Sequence, residues 1–303
     1  MFFYIYVMFL SKFACISTVD WFWSWVNMEL NLFSFLPLLL SLKMKSFSEF
    51  SIKYFLVQIL GSSMMIFGLI SVEFMYNFIY LFSGLFCKLG IFPVSVLLID
   101  ISSKVNWLSL GFMSSFMKVA PMYLSSNMLD QSHYMLLILT GGSGLFWGMY
   151  YNCMMNIYMG GSLMHMYWSM SVAPSSWFIY WMFYFLISMS LCLTFMDLGL
   201  RDSKDLMVLG YVEIYGLFFQ LLSLMGFPPL TGFLLKFWCL TLLSNYYMIF
   251  FLTFISSLFN YLYLRWLVNM FIYAKPFYSL GGFFMNLGNY FSLISVCFII
   301  SFL

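Results

Sequence analysis

The sequence predicts an all-α integral membrane protein of about eleven transmembrane helices, on three observations. Apolar residues make up 64% of the chain and charged residues 7%, against roughly 25% charged in a soluble globular protein. The apolar runs are long and do not alternate, as in MFFYIYVMFL at the start or YYMIFFLTFISSLFNYLYL from Tyr246. The linkers between them are short. Lipid accepts Leu, Phe and Met on the outer surface but offers the backbone no hydrogen-bond partner, which leaves helices or a closed barrel. A barrel would alternate in segments of about ten residues. These runs do not, so helices win.

In order, the predicted spans are 2–19, 21–41, 51–71, 75–98, 106–126, 133–151, 154–171, 176–196, 211–241, 246–270 and 283–302. The ninth is too long for one straight crossing and contains Gly226, Pro228, Pro229 and Gly232, residues that end or kink a helix. A single polytopic domain, 1–303, is expected, with no soluble domain and no short-period repeat.

Loop charges predict an orientation. With eleven spans, Lys43, Lys45, Lys53, Lys104, Arg201, Lys204 and Lys275 share the face of the N-terminus, with Arg265 near a helix end that feeds it. The opposite face holds Lys12 as its only base, beside Asp20, Glu73 and Asp130. The positive-inside bias puts the N-terminus in the matrix or cytoplasm and the C-terminus outside.

A net charge of +2 points to no nucleic-acid partner. The chain opens on an apolar run with neither a basic n-region nor an Arg-rich stretch, so no cleaved targeting segment is expected. The six cysteines (15, 87, 153, 192, 239 and 297) stand singly, with no zinc or iron–sulfur spacing, and read as packing residues. His133 and His165 are too few and too separate for a metal site. No glycine-rich phosphate loop of standard spacing occurs. No cofactor and no metal are expected to be bound by this chain itself.

Charges inside the spans carry the functional signal. Glu29 lies in the middle of span two, Lys88 near the middle of span four, Lys118 in the middle of span five and Lys236 deep in span nine. Each would cost about 2.5–3.5 kcal/mol facing lipid, so the four are expected to face one another or a hydrated interior. They could be structural ion pairs clamping helices. One acid and three bases cannot all neutralise in pairs, however, and a buried amine without a counter-charge is suited to proton relay.

Prolines accompany the lysines: Pro93 follows Lys88, Pro121 follows Lys118, and Pro228 and Pro229 precede Lys236. Two broken helices are expected, around 88–93 and 226–236. In transporters such breaks aim backbone dipoles at ions near the midplane, often in a pair of inverted repeats. Gln58, Ser62, Ser63, Asn152, Asn156, Ser162 and Asn260 add polar groups within the spans. His165, mid-span, is either a hydrogen-bonded packing residue or a proton carrier.

The stretches WFWSWVNMELNLFSFLPLL (21–39) and SEFSIKYFLVQILGSS (48–63) are followed in order by KLGIFP (88–93), MKVAPM (117–122), SLMGFPPLTGFLLKFW (223–238) and NYLYLR (260–265). In this set and order they resemble the subunit 2 family of mitochondrial NADH–ubiquinone oxidoreductase (complex I). The proline-rich island is shared with other antiporter-like subunits, while the first two point to subunit 2. The chain departs from the family pattern in having no histidine after Lys88 and a non-basic segment before His165.

The resemblance implies an antiporter-like inverted-repeat bundle and a proton pathway along Glu29, Lys88, Lys118, His165 and Lys236. In that pathway Glu29 and Lys88 form a pair, Lys118 is the central lysine and Lys236 the terminal one. It implies an H+-translocating NADH:ubiquinone reductase whose NAD, FMN, iron–sulfur and ubiquinone chemistry lies in other subunits. The implied partners are the other membrane-arm subunits, notably 4 and 4L, with accessory subunits and membrane phospholipids. The implied location is the mitochondrial inner membrane, which agrees with the Met, Phe and Trp excess and the missing transit peptide. Two other readings stay open: a stand-alone cation/proton antiporter, and a structural membrane subunit with relic lysines.

Overall fold

Burial of an apolar helix in lipid requires every backbone group to bond within its own segment, and the described residues are almost entirely helical. The computed structural model describes residues 2–40, 47–70, 74–126, 140–146, 150, 153–170, 177–200, 211–228, 230–243 and 246–273. The predicted span 283–302, most of 133–151, Asn152, His133, Pro229 and Cys297 lie outside the described residues. So do the loop charges Lys43, Lys45, Glu73, Asp130, Arg201, Lys204 and Lys275.

The described helices are α1 (Phe2–Ser17), α2 (Trp21–Leu40), α3 (Phe47–Ile70), α4 (Phe74–Leu89), α5 (Val94–Ser102), α6 (Trp107–Ser114) and α7 (Val119–Ser126). After them come α8 (Met154–Met170), α9 (Trp177–Asp197), α10 (Tyr211–Met225), α11 (Thr231–Leu242) and α12 (Tyr246–Tyr273). Among the described residues, four segments are long and apolar enough to cross a membrane: Glu49–Ile70, Asn77–Ser102, Tyr180–Asp197 and Ile249–Ile272.

The helices α1 to α4 pack in sequence, with α3 and α4 in the most extensive contact. An added Cβ on Gly84 would stand 2.6 Å from the Gly61 carbonyl, so these two glycines let the backbones meet. The second group places α9 against α6 and α10, and α8 against α5, α11 and α12. One apolar core runs from Met8 through Phe35, Trp107, Tyr158 and Trp181 to Met270.

Three interruptions shape the interior, and two share one cap. At the end of α4, Gly90 (φ 75°) and Ile91 both donate to the Phe86 carbonyl at 3.0 Å. At the end of α10, Gly226 (φ 77°) and Phe227 donate to the Leu222 carbonyl at 3.1 and 3.2 Å. A left-handed glycine closing a helix in this way is the Schellman arrangement. Each is followed by Phe-Pro, Phe92-Pro93 and Phe227-Pro228, which resists continuing the helix in register.

The third interruption lies between α6 and α7. Ser115 turns away at φ −116°, ψ −64°, and Phe116–Lys118 form a single 3-10 turn. Pro121 sits in the first turn of α7, where its missing N–H deprives no helical carbonyl of a bond. The interruption precedes Pro121 and carries Lys118 itself.

Candidate functional site

The three lysines singled out in the sequence, Lys88, Lys118 and Lys236, are held at or beside interruptions, while Glu29 and His165 lie within continuous helices. Lys88, in the last turn of α4, makes an ion pair with Glu29 of α2. The side chains are 3% and 14% exposed respectively, so the protein covers most of both. Gly61 leaves room for the lysine stem, since a Cβ there would meet Lys88 Cγ at 3.2 Å. Gln58 Nε2 donates to the Lys88 carbonyl at 3.5 Å; such carbonyls at a helix end lack an intrahelical donor.

Lys118 has a different kind of partner. Its Nζ lies 3.3 Å from Ser162 Oγ of α8, and the residue is 3% exposed. A hydroxyl both accepts and donates, so it satisfies an ammonium or a neutral amine. The turn that presents Lys118 is fixed from outside by Trp181, whose Nε1 donates to the Ser115 carbonyl at 3.0 Å.

His165 and Lys236 meet around one small cavity between α8, α10, α11 and α12. Its volume is about 10 Å³, and its wall includes His165, Trp168, Leu224, Lys236, Asn260 and Tyr263. That is close to the least space that holds one water. His165 Nδ1 lies 2.8 Å from the Tyr180 hydroxyl, and its ring stacks on Tyr184 at 4.6 Å. Tyr184 also interacts with Ser162, so aromatic groups link the Lys118 partner to the His165 side.

Lys236 Nζ donates to the Met225 carbonyl at 2.7 Å. Met225 ends α10, so the ammonium sits on the negative end of that helix's dipole. Asn260, with its amide nitrogen turned inward, donates to the same carbonyl at 3.1 Å. The lysine stem crosses Gly226, where a Cβ would come 2.8 Å from Lys236 Cδ.

The structure therefore brings Glu29 to Lys88 and His165 to the Lys236 cavity. Lys118 stands with a hydroxyl rather than an acid. Pro93 and Pro228 border the two glycine-capped breaks. Asn156 accepts from Ser102 at 2.9 Å, while Ser62 and Ser63 bond back to their own helix. Lys12, counted in the sequence only as a base of the outer face, is buried within α1, 3% exposed, and lies over Phe116 at 4.1 Å. A lysine in the middle of an apolar run was the signal that could have found it.

Helices interrupted at buried lysines define a class of polytopic membrane protein, and solved structures share this fold. A chain of respiratory complex I from Thermus thermophilus superposes with a TM-score of 0.79 at 16% identity, covering 97% of this chain and 77% of its own. A chain of the Mrp complex from Dietzia superposes with a TM-score of 0.76 at 14% identity, covering 92% and 62%.

The particular resemblance is to NADH-ubiquinone oxidoreductase chain 2. That protein of Anopheles gambiae is 28% identical over 302 residues, 92% of this chain and 89% of its own length. The Lumbricus terrestris protein is 28% identical over 256 residues, 78% and 76%. The Locusta migratoria protein is 24% identical over 244 residues, 75% and 71%. No protein-family model matches the chain.

Proposed function

We propose that this chain is the subunit 2 type of proton-moving membrane subunit in respiratory complex I, without a redox centre of its own. The observation that carries the reading is the Glu29–Lys88 ion pair buried at a helix break, in a fold that sets two further lysines at interruptions. The full-length likeness to chain 2 proteins favours this over a stand-alone antiporter. In the finer reading, eleven spans form inverted repeats whose two broken helices are α4–α5 and α10–α11. The N-terminus faces the matrix and the C-terminus the intermembrane space of the mitochondrial inner membrane. Subunits 4 and 4L adjoin the chain, and FMN, iron–sulfur clusters and ubiquinone serve the NADH:ubiquinone reductase reaction in other subunits.

The pathway works by charge coupling. A proton arriving at Glu29 neutralises the carboxylate and leaves Lys88 without its counter-charge. Two unit charges about 8 Å apart at an effective dielectric near 20 interact by roughly 2 kcal/mol, enough to change occupancy at a neighbouring amine. Lys118 passes or holds the proton against the two-way Ser162 hydroxyl. His165 and the small cavity lead on to Lys236, which rests on the Met225 carbonyl.

The test is Lys118→Ala in the assembled complex. No acid faces Lys118 among the described residues, so its removal strands no charge, and assembly is expected at the wild-type level. Quinone-linked turnover and proton translocation are expected to fall together. Wild-type pumping by an assembled Lys118→Ala complex would overturn the relay.

A further inference from the structure

A buried amine outside the pathway just described remains to be explained. Lys12 Nζ has no hydrogen-bond partner among the described residues, and it lies over the Phe116 ring at 4.1 Å. We propose that Lys12 is a further ionisable residue of the proton pathway, holding a proton between the Glu29–Lys88 pair and Lys118. The proposal rests on the pathway reading above.

Position makes the case on both sides. Cys15, one turn along α1 from Lys12, packs in one buried cluster with Met28 of α2 and Leu85 of α4, close along those helices to Glu29 and Lys88. On the other side, Phe116 and Lys118 stand two residues apart in one 3-10 turn. At three residues per turn their side chains leave it in different directions. Phe116 takes the α1 direction, meeting Phe9 at 4.4 Å and Lys12. Lys118 takes the α8 direction, towards Ser162. The short turn thus has one amine on each side.

A structural clamp is the competing explanation: an ammonium over an aromatic ring is attractive and fastens α1 to the turn. The two differ in what the amine must do. A clamp needs a permanent cation. A proton holder takes one proton on the nitrogen lone pair as Lys88 gives one up, then releases it towards Lys118; only N–H bonds change.

Lys12→Arg and Lys12→Met separate them in the whole assembled complex, with Lys118→Ala alongside. Arginine keeps the cation and its affinity for the ring but does not release its proton. The measurements are the amount of assembled complex, NADH oxidation by an artificial acceptor, and protons translocated per NADH oxidised. The expected result is assembly and acceptor reduction retained in Lys12→Arg and Lys12→Met, with loss of most proton translocation per NADH in both. Wild-type translocation by Lys12→Arg makes Lys12 a clamp and overturns the proposal, as does wild-type translocation by Lys12→Met. Failure of both variants to assemble likewise makes it structural. If Lys118→Ala is impaired while the Lys12 variants translocate normally, this inference alone fails. If Lys118→Ala also translocates normally, the pathway reading fails with it.

Discussion

The two glycine-capped breaks end their helices with the same hydrogen bonds yet hold their lysines by opposite means. At the first, Lys88 belongs to the helix that ends, and a full carboxylate from α2 faces it. At the second, Lys236 comes from the helix that begins, reaching back 2.7 Å to the last carbonyl of α10. Both stems lie over a glycine, Gly61 and Gly226. The contrast teaches where charge is stored. The first break carries a separable ion pair that an incoming proton can open. The second offers only a fraction of an electron's charge from a helix end, and that charge cannot be titrated.

The largest effect should therefore come from the acid. Glu29→Ala strands a buried ammonium, and breaking a buried pair from one side costs about 3–5 kcal/mol. Loss of assembled complex is expected, read on native gels, together with loss of quinone-linked turnover. Lys236→Met removes the cation and leaves the Met225 carbonyl to Asn260, so assembly should be much less affected. Equal assembly of the two variants would erase the distinction between the breaks.

A smaller effect is expected from the glycine caps. Gly226→Ala forces a side chain into the left-handed region, worth roughly 1–2 kcal/mol, and pushes Lys236 Cδ from 2.8 Å. Gly90→Ala carries the same backbone cost, but its Cβ would meet Leu98 Cδ1 at 1.9 Å, an apolar neighbour. Gly226→Ala should thus lower proton translocation per assembled complex more than Gly90→Ala does. The check is translocation normalised to complex content; the reverse order would mean that the stem contact with Lys236 is unimportant.

What was legible in the sequence follows the same division. The Glu29–Lys88 pairing came from the family resemblance, since one acid among three bases does not by itself say which base it meets. The helix ends at Gly90 and Gly226 could be read because Gly and Pro leave a local signature. The partner of Lys236 could not, since a backbone carbonyl has no letter in the sequence. Ser115 and the 3-10 turn were equally silent: FMK carries no turn residue, and Pro121 lies beyond the turn. Tyr180 and Tyr184 around His165 were hidden among the 22 tyrosines of the chain, most of which read as packing or interface residues. The burial of Lys12 against Phe116 was silent too, since the aromatic partner is more than a hundred positions away in the sequence.

The smallest effect sharpens the comparison most. Asn260 and Lys236 donate to one carbonyl, at 3.1 and 2.7 Å. A neutral amide donor contributes about 0.5–1.5 kcal/mol, and its removal leaves the stronger, charged donor in place. Asn260→Ala should accordingly assemble normally and keep most of its turnover. In the Lys236→Met background the same substitution leaves the Met225 carbonyl with neither of these donors, and an unsatisfied buried acceptor costs about 1–3 kcal/mol. The double variant is then expected to lose more assembled complex than the two single losses added together. Strict additivity in that cycle, measured as thermal stability of the purified complex, would mean that the two donors do not share the carbonyl. The second break would then hold its lysine by something other than the end of α10.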